Sequence, residues 1–240
     1  MAIETEILKS INYFAGLDNT ELEFIKGFIV EKTIDKGEIL LTEGETSNYL
    51  YFVVSGMVKV YKSSPNGKEQ ILHIAPPGDS LNDVPTFDGE SANVATMVAM
   101  TPALLYAIRK EDLKIILHDP PRICVNIIKS LANRIRRDAK LVEELSSTQA
   151  LARLAKLLIG RYAGEEATVG YFLTQQDMAN MIGTSREVVN RALKAMEDKG
   201  AIRLNRHRVV VVDKGRLSDL AKDIEDTTPK YLRPESNTRR

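Results

Sequence analysis

The chain has few of the residues that build disulfides and metal clusters, and it has no long apolar run. Its 240 residues include one cysteine, Cys124, and three histidines, His73, His118 and His207. A single cysteine excludes an internal disulfide and an iron–sulfur cluster held by four cysteines. No apolar run approaches the roughly 20 residues of a membrane-spanning helix, and the N-terminus lacks the basic and apolar regions of a signal peptide. We therefore expect a cytoplasmic protein that does not enter the membrane.

Signatures of catalysis are missing as well. The three histidines lie in separate segments, so the sequence offers no histidine pair for a catalytic metal. It contains no nucleophile motif and no glycine-rich phosphate loop. We expect no enzymatic activity, no catalytic residues and no metal site. A cupin-like metal enzyme is the distant alternative, and a structural nucleoid protein is a third hypothesis.

The charges are balanced overall but unevenly distributed. Residues 1–149 contain 16 basic and 21 acidic side chains, whereas residues 150–240 contain 17 basic and 12 acidic ones. A basic C-terminal part attached to an acidic N-terminal part fits a nucleic-acid-binding module joined to a second domain.

Residues 173–196 predict two short helices joined by a tight turn. Gly183 falls at the turn, where a residue without Cβ can adopt a positive φ. Thr174 can cap the first helix, and Thr184 or Ser185 the second. Six apolar residues recur at helical spacing and predict the inner faces of the two helices: Met178, Ala179, Ile182, Val189, Leu193 and Met196. The pattern is typical of a helix-turn-helix.

Polar residues on the other side of the second helix are candidates for reading DNA bases. They are Arg186, Glu187, Asn190 and Arg191. In a major groove, arginine can donate two hydrogen bonds to guanine O6 and N7, and a carboxylate can accept one from cytosine N4. The arrangement suits a half-site that contains G·C pairs. The alternative is an ordinary solvent-exposed helix with a Glu–Arg pair four residues apart.

The region from 31 to 107 predicts many short strands. Glycines punctuate its β-rich runs every seven to twelve residues, at Gly37, Gly44, Gly56, Gly67, Gly78 and Gly89. Short strands at such regular spacing indicate a β-sandwich or barrel.

Several motifs in this region resemble those of cyclic-nucleotide-binding domains. They are Lys36-Gly37-Glu38, Glu43-Gly44-Glu45, the run YFVVSG ending at Gly56, and Pro77-Gly78-Asp79. Followed by the predicted helix-turn-helix, their order is similar to the cAMP receptor protein/fumarate–nitrate regulator (CRP/FNR) family of bacterial transcription factors. The resemblance covers about residues 13–226.

The resemblance implies an α+β protein with four parts. These are a β-roll (jelly-roll) sensor with N-terminal helices over 1–119, a dimerisation helix over 120–146, a winged helix-turn-helix over 147–226, and a flexible tail over 227–240. It further implies a homodimer that binds double-stranded DNA at a palindromic, TGTGA-like operator and works with RNA polymerase. Residues 202–205 and 206–213 predict two strands joined by a basic tip, which form the wing. We predict contacts to the DNA backbone from the helix-turn-helix and the wing: Thr174, Gln175, Gln176, Thr184, Ser185, Arg203, Arg206, His207 and Arg208.

The predicted dimerisation helix carries an apolar stripe. Residues 122–145 contain neither Gly nor Pro. The stripe consists of Cys124, Ile128, Leu131, Ile135, Val142 and Leu145, at the spacing of a coiled-coil seam. Asp138 interrupts it: either this residue fixes the register, or the seam shifts onto Ala139. The alternative is a helix that packs only on its own β-roll.

The cyclic-nucleotide site of the family is altered in this chain. In cAMP-binding members a Gly-Glu and, some eight residues later, an Arg-Ser hold the cyclic phosphate; Asn82-Asp83 and Ala92-Asn93 stand at these places here. No Arg or Lys occurs between Lys68 and Arg109. We therefore predict control by a signal other than cAMP, such as a gas, a redox change or a metabolite. The alternative is a response to cAMP or another cyclic nucleotide.

The predicted effector pocket lies between strands 71–97 and the long helix around 127–135. Its candidate residues are His73, Asn82, Asp83, Ala92, Asn93, Ile127 and Leu131. The sequence leaves the cofactor open: a haem could be ligated by His73, by His118 or by a backbone nitrogen, and no iron–sulfur cluster is expected.

Overall fold

In a computed structural model the chain forms two compact units, residues 1–141 and 142–240. The structure describes residues 3–87, 92–118, 121–147, 149–161, 173–205 and 208–222. The helices of the first unit are α1 (Thr5–Ser10), α2 (Asn19–Lys26), α3 (Asp83–Phe87), α4 (Lys110–His118) and the long α5 (Pro121–Ser147), which continues into the second. Its strands are β1 (Ile29–Ile34), β2 (Ile39–Leu41), β3 (Tyr49–Ser55), β4 (Val58–Ser63), β5 (Glu69–Ala75), β6 (Ser80–Leu81), β7 (Thr96–Ala99) and β8 (Ala103–Arg109).

The strands form two antiparallel four-stranded sheets, in the orders β1–β8–β3–β6 and β2–β7–β4–β5. Glycine is required at the β3–β4 reversal. Gly56 has φ +84°, and a Cβ there would lie 2.4 Å from the carbonyl oxygen of Pro102. The predicted α+β fold with an N-terminal β-roll, a long helix and a C-terminal helix-turn-helix is confirmed.

Strand β3 separates two hydrophobic cores. On one face, Leu50 and Phe52 pack with the N-terminal helices, α4 and the start of α5. The rings of Tyr13 and Phe14 lie 5.3 and 5.1 Å from that of Phe52, centroid to centroid. On the other face, Tyr51 and Val53 pack between the two sheets. Because both faces are buried, the strand is a continuous apolar run rather than an alternating one.

Helix α5 buries one face and exposes another. Ile123 and Ile127 belong to the core next to β3, and Leu131 packs against it. Cys124 is half-buried, and its Sγ lies 3.9 Å from the carbonyl oxygen of Leu117. By contrast, Ile128, Ile135 and Val142 are 65, 69 and 66% exposed.

The exposed face of α5 differs in register from the predicted seam. Cys124 and Leu131 face their own subunit, and Leu145 is half-buried. The exposed small and apolar residues follow an uninterrupted 3,4 spacing, and we call them the α5 stripe: Val125, Ile128, Ala132, Ile135, Ala139 and Val142. Asp138 lies beside the stripe, so it does not interrupt it.

Among the described residues, no helix is both long and apolar enough to cross a membrane.

The second unit contains α6 (Ala150–Arg161), α7 (Gln175–Met181), α8 (Arg186–Asp198), the strands β9 (Ile202–Asn205) and β10 (Arg208–Val211), and α9 (Lys214–Lys222). Strands β9 and β10 pair as an antiparallel hairpin. All six apolar residues predicted for the inner faces of α7 and α8 are buried. Leu154 and Leu158 of α6 and Leu217 and Leu220 of α9 are buried as well.

Candidate DNA-binding surface and sensor cavity

Helix α7 begins with a capping box. The Thr174 hydroxyl accepts a hydrogen bond from the Asp177 amide at 3.0 Å, and the Asp177 carboxylate accepts one from the Thr174 amide at 2.9 Å. The helix ends at a turn where Gly183 has φ +64°. Arg153 of α6 donates to the Ile182 carbonyl at 2.8 Å and thereby fixes the turn. Thr174 was predicted from the sequence as the cap of α7, whereas Arg153 was not predicted.

Helix α8 presents its polar side to solvent. Ser185 is its N-cap and accepts from the Val188 amide at 3.4 Å. The helix buries Val189, Ala192, Leu193 and Met196. The four predicted base-reading residues, Arg186, Glu187, Asn190 and Arg191, are all exposed on the opposite side. The structure thus places them together on an accessible helix face near the N-terminus of α8.

The charge of Glu187 suits an acceptor. The pKa of the Glu187 carboxyl lies below its ordinary value because the carboxyl accepts a hydrogen bond from the Ser185 hydroxyl and one from the backbone amide of Glu187. The positive charges of Arg186 and Arg191 lower this pKa further. Because the carboxylate is ionised at neutral pH, it can accept from a base amino group but cannot donate.

The predicted backbone contacts fall on α7, the turn and the β9–β10 hairpin. Gln176 is exposed and donates to the Asn180 side chain at 2.8 Å, while Gln175 and Thr184 are half-exposed. Arg203 is exposed on β9, and Glu197 of α8 accepts from the Leu204 amide at 2.7 Å, which ties the hairpin to α8. Arg206, His207 and the side chain of Arg208 lie outside the described residues.

A cavity of about 110 Å³ opens in the first unit beside α5. Its walls are mainly apolar side chains of β4, β5, β7 and the β6–α3 segment, with six polar residues among them: His73, Ser80, Asn82, Asp83, Arg134 and Asp138. Asn82 has φ +70° and donates to the Tyr49 carbonyl at 2.9 Å. Within the described ranges, no three His, Cys, Asp or Glu side chains are placed to hold a metal ion.

Three of the seven predicted pocket residues line this cavity: His73, Asn82 and Asp83. The other four do not line it. Ala92 bridges to Thr46, and the Asn93 amide donates to the Thr42 carbonyl at 3.0 Å, so both belong to the loop beside β2. Ile127 and Leu131 pack in and against the core next to β3. The helix instead contributes Arg134 and Asp138, one to two turns further along the chain.

Asp83 has partners from two other segments. Its side chain is fully buried and lies 2.7 Å from Nη1 of Arg134. Arg134 also donates to the Ser80 carbonyl at 3.0 Å, and the Tyr13 hydroxyl donates to the second carboxylate oxygen of Asp83. Burial, and next the charge of Asp83, raise the pKa of the Tyr13 hydroxyl well above its ordinary value, so it remains a donor. Neither Tyr13 nor Arg134 was predicted from the sequence.

Comparison with known proteins identifies two family domains in the chain. Residues 31–119 match the family model of the cyclic nucleotide-binding domain, and residues 152–220 match that of the Crp-like helix-turn-helix domain. A CRP-like cAMP-activated global transcriptional regulator of Mycobacterium tuberculosis is 30% identical over 224 residues, which span 90% of this chain and 99% of the relative. The chain belongs to the CRP/FNR family. The predicted family is therefore confirmed.

Two further matches extend the likeness. The cyclic AMP receptor protein of Thermus thermophilus is 26% identical over 214 residues, which span 89% of this chain and 98% of the relative. The solved structure of FixK2 from Bradyrhizobium japonicum is similar in fold, with a TM-score of 0.70 at 21% identity over 80% of this chain and 96% of that one. The protein is a CRP/FNR-type DNA-binding transcription regulator.

Proposed function

We propose that this CRP/FNR protein is a homodimer that binds a palindromic, TGTGA-like operator, and that a signal other than cAMP controls its DNA binding. The observation that carries the DNA-reading part is the exposed α8 face. Arg186, Glu187 and Arg191 supply two guanine-reading donors and one cytosine-reading acceptor on one side of a capped helix. In a symmetric dimer, two such helices enter major grooves one turn apart, which requires a palindrome.

The α5 stripe supports the dimer. Its isoleucine and valine side chains are exposed in the single chain, although burial of such side chains is favourable by about 1.5–3 kcal/mol each. Their 3,4 spacing is that of a two-stranded coiled coil, in which each side chain inserts between four residues of the facing helix. A second copy of this chain covers the stripe. RNA polymerase is the further partner we expect for a regulator of this kind.

The charges of the cavity support a signal other than cAMP. A cyclic phosphodiester is an anion and needs an unengaged cation. Arg134, the only arginine among the lining residues, is already paired with Asp83. The place of the family's phosphate-binding Arg-Ser is taken by Ala92 and Asn93, which do not line the cavity. Relatives that are cAMP-activated make the cyclic nucleotide the alternative to test.

The direct test is fluorescence anisotropy with a palindromic TGTGA-type duplex and a scrambled duplex, each with and without cAMP, at two salt concentrations. We expect the palindrome to bind at least about 10³-fold more tightly than the scrambled duplex, and equally well with and without cAMP. Tight binding that required cAMP would contradict the proposed signal. Equal binding of both duplexes under all conditions would contradict the operator, and selection from random sequences would then show whether any half-site is preferred.

A second prediction concerns the wing. Because Arg203 is exposed on β9, we expect it to neutralise a phosphate without contacting bases. Arg203→Ala should weaken binding to operator and scrambled DNA by the same factor and reduce the slope of log affinity against log salt by about one per protomer. Titrations at four salt concentrations measure the slope. Lys36→Ala, which removes an exposed charge from the first unit, is the control and should leave the slope unchanged; an unchanged slope for Arg203→Ala would contradict the wing contact.

A further inference from the structure

Tyr13 connects the N-terminal segment to two positions along α5. Its backbone carbonyl accepts from the Asn126 side chain at 3.1 Å. Its hydroxyl reaches Asp83, whose carboxylate in turn binds Arg134. Asn126 and Arg134 are eight residues apart, or roughly 12 Å along a helix. We call the three side chains Tyr13, Asp83 and Arg134 the buried linkage.

The buried linkage is built from groups that are costly to separate. Asp83 is 0% and Arg134 20% exposed, so their attraction is little screened by water. Removal of one partner leaves a buried charge without compensation, which is far more costly than the net contribution of the intact pair. Both carboxylate oxygens of Asp83 are engaged by the protein itself, one by Arg134 and the other by Tyr13. The carboxylate therefore joins three segments of the chain without a ligand.

We propose that Tyr13 is a positioning residue for DNA binding: through Asp83 and Arg134 it fixes α5 on the β-roll without a small molecule, so that the effector-free protein is the DNA-binding form. This inference rests on the proposed function. In this chain the linkage takes the place of the small molecule that activates the cAMP-activated relative. A molecule that enters the cavity and competes for Asp83 lowers operator affinity, because it separates α5 from the N-terminal segment.

The test is a double-mutant cycle on operator affinity in the full-length protein without added ligand. Tyr13→Phe removes one hydroxyl, and Arg134→Lys keeps the charge but loses the two-pronged geometry of the guanidinium. Each should lower operator affinity by about 5- to 150-fold, the usual range of an allosteric coupling. The operator affinity of the double variant should be at most twofold lower than that of the single variant with the lower affinity, because both changes break the same linkage.

Tyr106→Phe is the matched control. Tyr106 belongs to the same core as Tyr13 and is equally buried, but its hydroxyl lies beside the Glu4 backbone rather than Asp83. Loss of a buried hydroxyl from that core should reduce the unfolding temperature of either variant, yet only Tyr13→Phe should change operator affinity. All affinities are measured at a temperature where each variant is folded and dimeric.

Three outcomes overturn the inference. The first is a Tyr13→Phe protein that binds the operator as tightly as Tyr106→Phe does. The second is a double variant whose loss of operator affinity equals the product of the losses in Tyr13→Phe and Arg134→Lys. The third is a wild-type protein that prefers the operator only after cAMP is added. This result would still support operator binding by a dimer, but it would contradict the proposed role of the buried linkage. If the wild-type protein shows no preference with or without cAMP, the proposed operator fails together with the inference.

Discussion

A single aspartate in the α5 stripe, Ile135→Asp, is expected to leave the protein monomeric and to abolish high-affinity operator binding. Ile135 is 69% exposed and lies near the middle of the stripe. In a coiled coil, the two substituted residues would place like charges in an apolar seam, which costs several kcal/mol per buried ion. A monomer contacts one half-site only. Since linkage of two half-site contacts increases affinity by about 10²- to 10⁴-fold, operator affinity should decrease by that factor.

The matched control for this variant is Asn133→Asp. Asn133 is exposed on the same helix but lies away from the stripe, and its substitution makes the same change of charge. Size-exclusion chromatography with light scattering measures the mass, and anisotropy measures operator affinity. We expect Asn133→Asp to remain dimeric and to bind like the wild-type protein. A dimeric Ile135→Asp protein, or equal disruption by both variants, would show that the dimer contact lies elsewhere.

The seam predicted from the sequence differs from the exposed α5 stripe at every second position. Helix α5 carries two overlapping apolar series, one through Cys124 and Leu131 and one through Val125 and Ala132. The first contains larger side chains and therefore looked like the seam. Tertiary packing decides between them, because Ile123 and Ile127 dock on the core and turn their neighbours inward. Only Ile128, Ile135 and Val142 are common to the predicted seam and the exposed stripe.

The β-roll and the helix-turn-helix were predictable for a physical reason. Both depend on local signals: glycines where the backbone must take a positive φ, as at Gly56 and Gly183, and apolar residues at the period of each element. The caps at Thr174 and Ser185 were predictable in the same way, since a cap is specified by a residue and its neighbours three positions on.

The polar contacts of the cavity were not predictable from local signals. Tyr13, Asp83 and Arg134 are far apart in sequence and meet only because the N-terminal segment, α3 and α5 pack together. The resemblance pointed to Asn82 and Asp83, which line the cavity. It also pointed to Asn93, whose side-chain amide donates to the Thr42 carbonyl instead. A buried carboxylate in an apolar surrounding requires a cation, but periodicity does not reveal which cation supplies it.

The second large effect is expected at Arg191. Its side chain is exposed on the α8 face, four residues after Glu187. If it binds guanine O6 and N7, Arg191→Ala should cost about 1–3 kcal/mol per half-site and relax discrimination at one G·C pair. Because the dimer has two recognition helices, the loss occurs twice on a palindrome. Anisotropy with the operator, with operators altered at each G·C pair and with scrambled DNA measures both effects.

Lys194→Ala distinguishes base reading from general attraction to DNA. Lys194 is exposed on the same helix, three residues beyond Arg191 and further from the N-terminal turn, so its loss removes the same charge without removing a predicted base contact. We expect Lys194→Ala to weaken operator and scrambled DNA alike, and Arg191→Ala to weaken the operator selectively. The two variants together separate the hypotheses: equal loss on both duplexes for Arg191→Ala would leave α8 as a basic surface and would assign operator choice to other residues.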